Sequence, residues 1–580
     1  MIVDNVEDIE NALTINIPSS DALRLEDSRR LTGPGLLWDH VGAVLEVHYS
    51  GIDPARVATL WRTHARRVLD AIGWPDQLIT ERGFENGHNL AISAPMDQLY
   101  SAIFAAETAW HFGAAELLGV AAGDFDRMIA DLKSVMTREA HPELIRLIEA
   151  GQGRGVEVLC DDDEVSVGHG SGSEVWPVNE LPDPADVEWS RLHNVPVALI
   201  TGTNGKTTTT RLCAAIAAAA GKVSGLTSTD FVRVGRDVLD RGDYSGPGGA
   251  RLLLRDKRLE IAYLEVARGG ILRRGLATRS ARVAVVTNVA ADHLGQYGVN
   301  TVEELARAKF AVHRALAEDG VLVLNADDVY VLAEAEQTDA NIWWFSLDGE
   351  APQIRAACAA GHCCAWEEAG NIVFFDGHEA VTIAAVANIP VTISGAARHN
   401  VRNALAATCV SYAIGIAPEH IAGGLTNFQS DPNDNPGRFN EFSVNGARVF
   451  VDFAHNPHSI AAVAETIGGI KAKRRFVLLS HAGDRSDDDI REVTTTALDL
   501  KPDYVVAAEL EDYLRGRELG EVTELIVETC AQNGVPRDRV LKAGSPSEAV
   551  RVIIDMLQPG DVALLLVLSE RDKIFELLQG

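Results

Sequence analysis

The segment Thr201-Gly202-Thr203-Asn204-Gly205-Lys206-Thr207-Thr208 gathers two glycines, a lysine and a row of hydroxyls between the apolar run Val197 to Ile200 and the helix-forming run Cys213 to Ala220. A triphosphate needs close backbone N–H donors, which glycine permits, the positive end of a helix, and a cation that reaches the β and γ oxygens. Lys206 supplies the cation, and the Thr207 hydroxyl is placed to ligand Mg²⁺. The full Walker spacing would put a glycine at position 200, where Ile200 stands, so the loop is a shortened variant. Two further groups suit phosphate chemistry: Glu265 ends an apolar run, and His293 follows Thr287-Asn288 and Asp292. Phosphoryl transfer gathers negative charge at one point, so metal ions and cations must be in place first. Taken alone, Glu265 could as easily pair with Arg268, and His293 could as easily be a capping residue.

These groups need a scaffold. From Pro196 onward, apolar runs alternate with helical segments, the signature of parallel strands crossed over by helices. Val197 to Ile200, Ile261 to Leu264 and Val283 to Val286 read as strands of one domain. Val449 onward, Phe476 to Leu479, Tyr504 to Ala507 and Val562 to Leu568 read as strands of another. Glu265 and His293 then fall at a carboxyl sheet edge, where α/β folds place ligands. Ser430 to Gly437 is a polar hinge candidate. Ahead of both lies a mixed α+β region with helical periodicity at Leu99, Ile103, Ala106 and Trp110, then short strands flanking Asp161 to Ser173 and a linker marked by prolines 177, 182 and 184. The expected division is 1–185, a substrate or partner domain, 186–429, a central ATP-binding domain, and 430–580, a Rossmann-like C-terminal domain.

At 580 residues the chain exceeds the usual ~100–200 per domain, and its 46% apolar and 23% charged content is that of a folded globular protein. The formal net charge of -31 argues against nucleic acid and anionic membrane as partners. No stretch approaches the roughly 18 apolar residues of a membrane helix. Met1, Ile2, Val3, Asp4 and Asn5 lack the basic start of a secretory leader, so a cytoplasmic protein is expected. Seven cysteines form no disulfide framework; Cys358, His362, Cys363 and Cys364 read as packed thiols rather than a zinc site. The acidic run Asp161 to Glu164 reads as a solvated turn.

The loop, with Thr287-Asn288, Asp292-His293 and Ala306-Arg307-Ala308-Lys309, resembles the Mur ligase superfamily, which includes folylpolyglutamate synthetases. Longer blocks resemble the Mur-ligase half of cyanophycin synthetases: Gly225 to Asp230, Ser245-Gly246-Pro247, Ala267 to Arg273, Gly483-Asp484-Arg485, Asp489 to Glu492 and Leu514 to Arg517. The likeness covers roughly residues 195 to 580. Those synthetases carry an ATP-grasp domain ahead of that half, for which about 185 residues leave no room beside an N-terminal domain, so a two-step polymerase is not expected. Arg29 to Pro34 resembles the start of such synthetases.

The resemblance implies an ADP-forming ligase that joins a carboxylate to an amine through an acyl phosphate on amino acid or short peptide substrates, with an L-arginine-like amine the first guess. ATP would lie between the central and C-terminal domains, held by Thr203, Asn204, Gly205, Lys206, Thr207, Thr208, Asn288, Asn400, Arg438, Asp452 and His455. Thr207, Glu265 and His293 would ligand Mg²⁺. Lys206, Glu265, His293 and Lys309 would form the catalytic set, with Lys309 carbamylated or, on the plain reading, a surface lysine of an exposed helical face. Asn400 would meet adenine or cap a helix; Arg438 would bind phosphate and Asp452 the ribose. Thr229, Asp230, Arg268 and Arg273 are candidates for the second substrate. Arg485 and Arg517 would hold an incoming carboxylate, with surface salt bridging the alternative. A homo-oligomer stays open, as do a non-ligating Mur-like ATP-binding subunit, a folylpolyglutamate-type ligase and another P-loop enzyme.

Overall fold

A computed structural model describes residues 6–432 and 434–579; Met1 to Asn5, on which the leader reading rests, and Asn433 of the hinge candidate lie outside the described residues. The chain divides into two compact units. One holds the residues up to Val289 with His293–Phe345 and Cys409–Ala417, and the other holds Ala290–Asp292, Ser346–Thr408 and the residues from Pro418 onward.

The first unit opens with an antiparallel sheet of β1 (Leu23–Leu31), β2 (Gly42–Tyr49), β3 (Ile79–Phe84) and β4 (Gly87–Ser93) in the order β1-β2-β4-β3. Helices Pro54–Ile72 and Leu99–Leu118 pack on it. The second does not follow its expected one-sided pattern. Between Leu99 and Ala115 nearly every residue is buried, and Ile103, expected in the apolar stripe, is one of the two that are only partly so. Alanines and Gly113 explain this, because small side chains let the sheet on one side and two helices on the other approach closely. Next comes a small antiparallel sheet of β5 (Val158–Cys160), β6 (Glu164–Val167) and β7 (Glu174–Pro177). Its acidic turn is less solvated than expected: Asp161 pairs with Arg255 at 2.6 Å and Asp162 with Arg30 at 2.9 Å.

The central sheet of this unit contains β8 (Val197–Thr201), β9 (Ser224–Thr227), β10 (Phe231–Val234), β11 (Asp237–Arg241), β12 (Ile261–Glu265), β13 (Ala281–Val286), β14 (Leu316–Asn325) and β15 (Ile342–Ser346). Their order is β11-β10-β9-β12-β8-β13-β14-β15. From β9 to β15 in that order the neighbours are parallel, and β10 and β11 extend the edge as an antiparallel hairpin. All five residues of β8 and of β12 are buried, which is why these strands read as unbroken apolar runs. The segment Arg29 to Pro34 joins the N-terminal sheet to the central one. Thr32 N donates to Arg274 O at 2.8 Å, Leu276 N to Pro34 O at 2.7 Å, and the buried Arg29 to Leu272 O at 3.2 Å. A Cβ on Gly33 would stand 1.8 Å from Leu276 O, so the approach requires glycine.

The second unit contains the meander β16 (Cys364–Glu368), β17 (Asn371–Phe375) and β18 (Ala380–Ala385), and a sheet of β19 (Asn440–Val444), β20 (Ala447–Asp452), β21 (Arg475–Leu479), β22 (Tyr504–Ala508), β23 (Val540–Ala543) and β24 (Val562–Leu566). That sheet runs β19-β20-β24-β21-β22-β23, parallel except for β19. Helices cover both faces over two apolar clusters, the arrangement of a doubly wound domain. The strand expected to reach Leu568 ends at Leu566. Cys358 and Cys364 lie with their sulfurs 3.5 Å apart, and all seven cysteines are free thiols.

Candidate functional site

Strand register assembles the first site. Glu265 of β12 sits opposite Ile200 of β8, and Val286 of β13 sits opposite Thr201, so three strands end together where the phosphate loop begins. The loop is cross-braced to the segment after β13. Thr203 N donates to Asn288 O at 2.9 Å, Asn204 N to Asn288 Oδ1 at 2.9 Å, Asn288 Nδ2 to Asn204 O at 2.8 Å, and the Thr287 hydroxyl to Asn204 O at 2.7 Å. At Gly202 a Cβ would stand 1.9 Å from the Thr287 hydroxyl oxygen, and Gly205 has φ 85° at the start of helix Lys206–Ala219. Glycine is required at both positions.

Lys206 Nζ folds back on its own loop, donating to Gly202 O at 3.1 Å and Thr203 O at 3.0 Å. Lys309 Nζ donates to the same Gly202 oxygen at 2.9 Å. Lys309 is 4% exposed, so the surface-lysine reading fails: helix Val302–Phe310, started by a capping box of Thr301 and Glu304, turns Lys309 inward beside Leu305 and Ala308. Thr207, Thr208 and Glu265 are buried, Glu265 to 2% exposure. A carboxylate so far removed from water requires a cation or hydrogen-bond donors. The Arg268 guanidinium donates to His293 O at 2.7 Å and to Gln296 Oε1 at 2.6 Å. His293 is exposed with φ 51° and lies in a loop rather than at a helix cap.

The second-substrate candidates separate. Asp230 is bound at 2.5 Å by the fully buried Arg211, Thr229 is half-buried, and Arg273 is exposed. Sequence reading passed over Arg211, although an arginine inside the apolar helix that follows a phosphate loop was a signal. It also passed over Asn325 and Asp328. Asn325 Nδ2 donates to Thr287 O at 2.9 Å, and Asp328 accepts from Val289 N at 2.7 Å, so the end of β14 steadies the loop's brace.

In the second unit, Asp452 ends β20 and accepts from Phe439 N at 2.8 Å and Ala454 N at 2.7 Å. Burial pushes its carboxyl up to about 6 against the lowering effect of Arg438 and those N–H groups. Arg438 lies over the Phe453 ring at 4.7 Å. His455 Nδ1 pairs with Phe453 O at 3.0 Å. Asn400 is buried within helix Arg398–Ala413 rather than at its cap, and its amide donates to Val391 O at 2.9 Å while its oxygen accepts from Asn403. Arg485 pairs with Asp292 at 3.1 Å. Arg517 donates to Gly483 O, Arg485 O, Asp487 and Glu521, which favours the salt-bridging alternative for it.

With this geometry in view, a model of the Mur ligase middle domain matches residues 200–411, and a model of the Mur ligase glutamate ligase domain matches residues 437–566. Over these two domains the chain belongs to the Mur ligase family. Cyanophycin synthetase of Nostoc sp. is 38% identical over 372 residues, 64% of this chain and 41% of that one, and its counterpart from Crocosphaera subtropica is 41% identical over 334 residues. The chain thus spans about two fifths of the length of these curated relatives. UDP-N-acetylmuramate–L-alanine ligase of Xanthomonas campestris pv. campestris is 28% identical, covering 63% of this chain and 70% of that one. The solved structure of E. coli FolC in complex with DHPP and ADP is 21% identical with a TM-score of 0.50, covering 66% of this chain and 88% of that one, a likeness of fold. Among the described residues of this Mur ligase family member, no helix is long and apolar enough to cross a membrane.

Proposed function

We propose that this Mur ligase family member is an ATP-dependent carboxylate–amine ligase acting through an acyl phosphate on amino acid or short peptide substrates. The observation that carries the reading is the braced loop at Gly202–Thr207 with a buried carboxylate, Glu265, one register step away and two lysine amines on one loop carbonyl. Rigid bracing holds the backbone donors ready for phosphate oxygens, and such preorganisation is worth most in a site shielded from water. Similarity to cyanophycin synthetases supports amino acids and peptides as the first substrates to test, with an L-arginine-like amine among them.

In this scheme a substrate carboxylate oxygen attacks the γ-phosphorus and ADP leaves. The amine then attacks the acyl carbon and loses a proton, and the tetrahedral intermediate expels phosphate to give the amide. Lys206 swings from its loop carbonyls to the phosphate oxygens. Thr207, Glu265 and His293 would hold Mg²⁺: the hydroxyl and the buried carboxylate supply the oxygen donors that a hard cation takes, His293 is the less usual nitrogen donor of the set, and the bound ion would neutralise phosphate oxygens. Thr203, Asn204, Gly205, Thr208 and Asn288 shape the phosphate cradle; Asn400, Arg438, Asp452 and His455 serve the nucleotide. Lys309, buried against Gly202, is a candidate for carbamylation, testable by trapping with ¹³C-bicarbonate. Thr229 and Arg268 are the acceptor-side candidates whose position leaves them closest in sequence to the buried Arg211–Asp230 pair and to Glu265. Residues 1–185 act as a substrate or partner domain, 186–429 as the ATP-binding domain and 430–580 as the C-terminal domain.

The test is phosphate release from ATP and Mg²⁺ across a panel of amino acids, dipeptides and amines, with mass spectrometry of the products. A condensed product that depends on both substrates supports the ligase. Phosphate release without condensation, or none from any pair, would move the reading to a non-ligating ATP-binding subunit.

A further inference from the structure

A cavity of about 330 Å³, with no residue of the phosphate loop in its lining, lies within the first unit between the N-terminal sheet region, the small sheet and helix Pro247–Leu254 of the central domain. It is lined by three arginines, Arg30, Arg251 and Arg274, and by four carboxylates, Asp97, Glu139, Asp161 and Asp162. Counted by formal charge the lining is acidic. Counted by what each group already binds, it is cationic.

Every carboxylate is committed. Asp97 accepts from His141 N at 2.8 Å, and Glu139 accepts from Tyr100 N and Ser101 N at 2.8 and 2.7 Å, closing the start of helix Leu99–Leu118. Asp161 is held by Arg255 at 2.6 Å. Asp162 takes both guanidinium arms of Arg30, at 2.9 and 3.3 Å, and the Tyr100 hydroxyl. Arg30 is spent by that pairing and by lying over the Tyr100 ring at 3.9 Å. Arg251 and Arg274 have no such partner: among the described residues neither forms an ion pair, and the Arg251 side chain donates only to the Thr32 hydroxyl at 3.0 Å. Burial lowers both guanidiniums from their usual value, and for Arg274 the neighbouring Arg30 and Arg273 add to it. The start of helix Pro247–Leu254 also lines the cavity through Pro247 and Gly248, with no side chain capping it. Two half-buried cations and an uncapped helix start attract an anion.

We propose that this cavity is a binding site for a small ligand bearing a carboxylate, gripped by Arg251 and Arg274. The remaining walls decide between carboxylate and phosphate as the anion. Ile9, Met96, Leu144 and Val178 offer apolar surface that an inorganic phosphate would leave wet, whereas an amino acid or short peptide would cover it with its aliphatic body. The volume is at the small end of ligand pockets. No ATP chemistry is required of this site, so it stands or falls apart from the ligase reading.

The experiment is calorimetric titration of the full chain, without ATP, with N-acetyl-L-leucine, N-acetyl-L-leucinamide and inorganic phosphate. N-acetyl-L-leucine is expected to bind, the amide and phosphate not to displace it, and Arg251→Gln and Arg274→Gln each to weaken it about tenfold or more. Unchanged ATP affinity in both variants would show that the phosphate loop is intact, since the Arg274 carbonyl that receives Thr32 N survives the substitution. If either variant does not fold, phenylglyoxal labelling of the wild-type protein replaces it, with N-acetyl-L-leucine expected to protect Arg251 and Arg274 from modification. Equal binding of the amide, displacement by phosphate, variants that bind like wild type, or absence of both binding and protection would each overturn the proposal.

Discussion

The carboxyl edges of the two parallel sheets hold their polar groups in opposite ways. At the edge of the central sheet, side chains brace backbone: Asn288, Thr287 and Lys309 bond to loop carbonyls and amides, and Glu265 is buried one step away. At the edge of the second unit's sheet, side chains largely brace one another. Arg515 holds Asp484 and Arg485 holds Asp292, while Arg517 divides its bonds between the acids Asp487 and Glu521 and the carbonyls of Gly483 and Arg485. A group tied to backbone is fixed in place, and its bonds fail together if one is removed. A group in an exposed ion pair can exchange its partner at little cost. The first edge is therefore expected to be intolerant of substitution and the second adaptable.

The sharpest challenge to that contrast is Lys206→Ala. Loss of the cation meant for the β and γ oxygens should lower amine-dependent phosphate release about 10²- to 10³-fold, while the melting temperature changes little because Lys206 is bonded only to its own loop. Release at the wild-type rate would remove the loop from the chemistry altogether. Next in size is Asn288→Ala, which deletes one acceptor and one donor to Asn204 at once. Two neutral hydrogen bonds are lost, so ATP affinity should fall by about 1–3 kcal/mol, measured by equilibrium binding. A loss no larger than that of a surface substitution would mean that the brace is decorative.

The same contrast explains what could be read from the sequence. The loop was legible because glycine and lysine at fixed spacing are demanded by backbone approach and charge, which leave a mark on residue type: Gly202 and Gly205 tolerate nothing else. The strands of both sheets were legible because burial on two faces forces continuous apolar runs. Lys309 was read two ways, since nothing in its own helix tells whether a lysine faces water or a carbonyl more than a hundred residues earlier. Arg517 and Arg485 were open for a related reason: residue type shows that a guanidinium is present, and only the fold shows which acids reach it first. Asn325, Asp328 and Arg211 were missed because they act on the brace and on Asp230 rather than in a motif of their own. The N-terminal region carried least signal. Its Leu99 helix is packed on several sides and so loses the one-sided stripe that periodicity detects.

Asp452 tests the exception at the second edge, since it binds backbone as the loop residues do. Its carboxyl is raised to about 6 by burial, well above its ordinary 3.8. The folded state then holds a proton that the unfolded state has released between those values, so this group contributes stability that is present below about pH 4 and is lost as pH rises through 6. Other groups have the opposite sign, including the buried His481, whose imidazole is pushed down to about 3 by burial. The informative quantity is therefore the difference between wild type and Asp452→Asn in urea unfolding across pH 4 to 7. The variant should gain relative stability as pH rises through 6. A difference that is flat across this range would show that Asp452 titrates as an ordinary exposed acid.

The smallest expected effect is that of Arg517→Ala. Its carboxylate partners, Asp487 and Glu521, are about half exposed, so both pairs are of the kind worth about 0–1 kcal/mol. Its bonds to the carbonyls of Gly483 and Arg485 tie the loop after β21 to the start of helix Glu521–Gln532, and their loss should add a similar amount. If Arg517 is a brace, the variant should lose about 1–2 kcal/mol of unfolding free energy in urea, with KM for the carboxylate substrate unchanged. If it instead releases its acids to receive that substrate, KM should rise at least tenfold with stability nearly intact. The two outcomes differ in which measurement moves, so one variant decides whether the second edge is adaptable scaffold or a substrate grip held shut by its own acids.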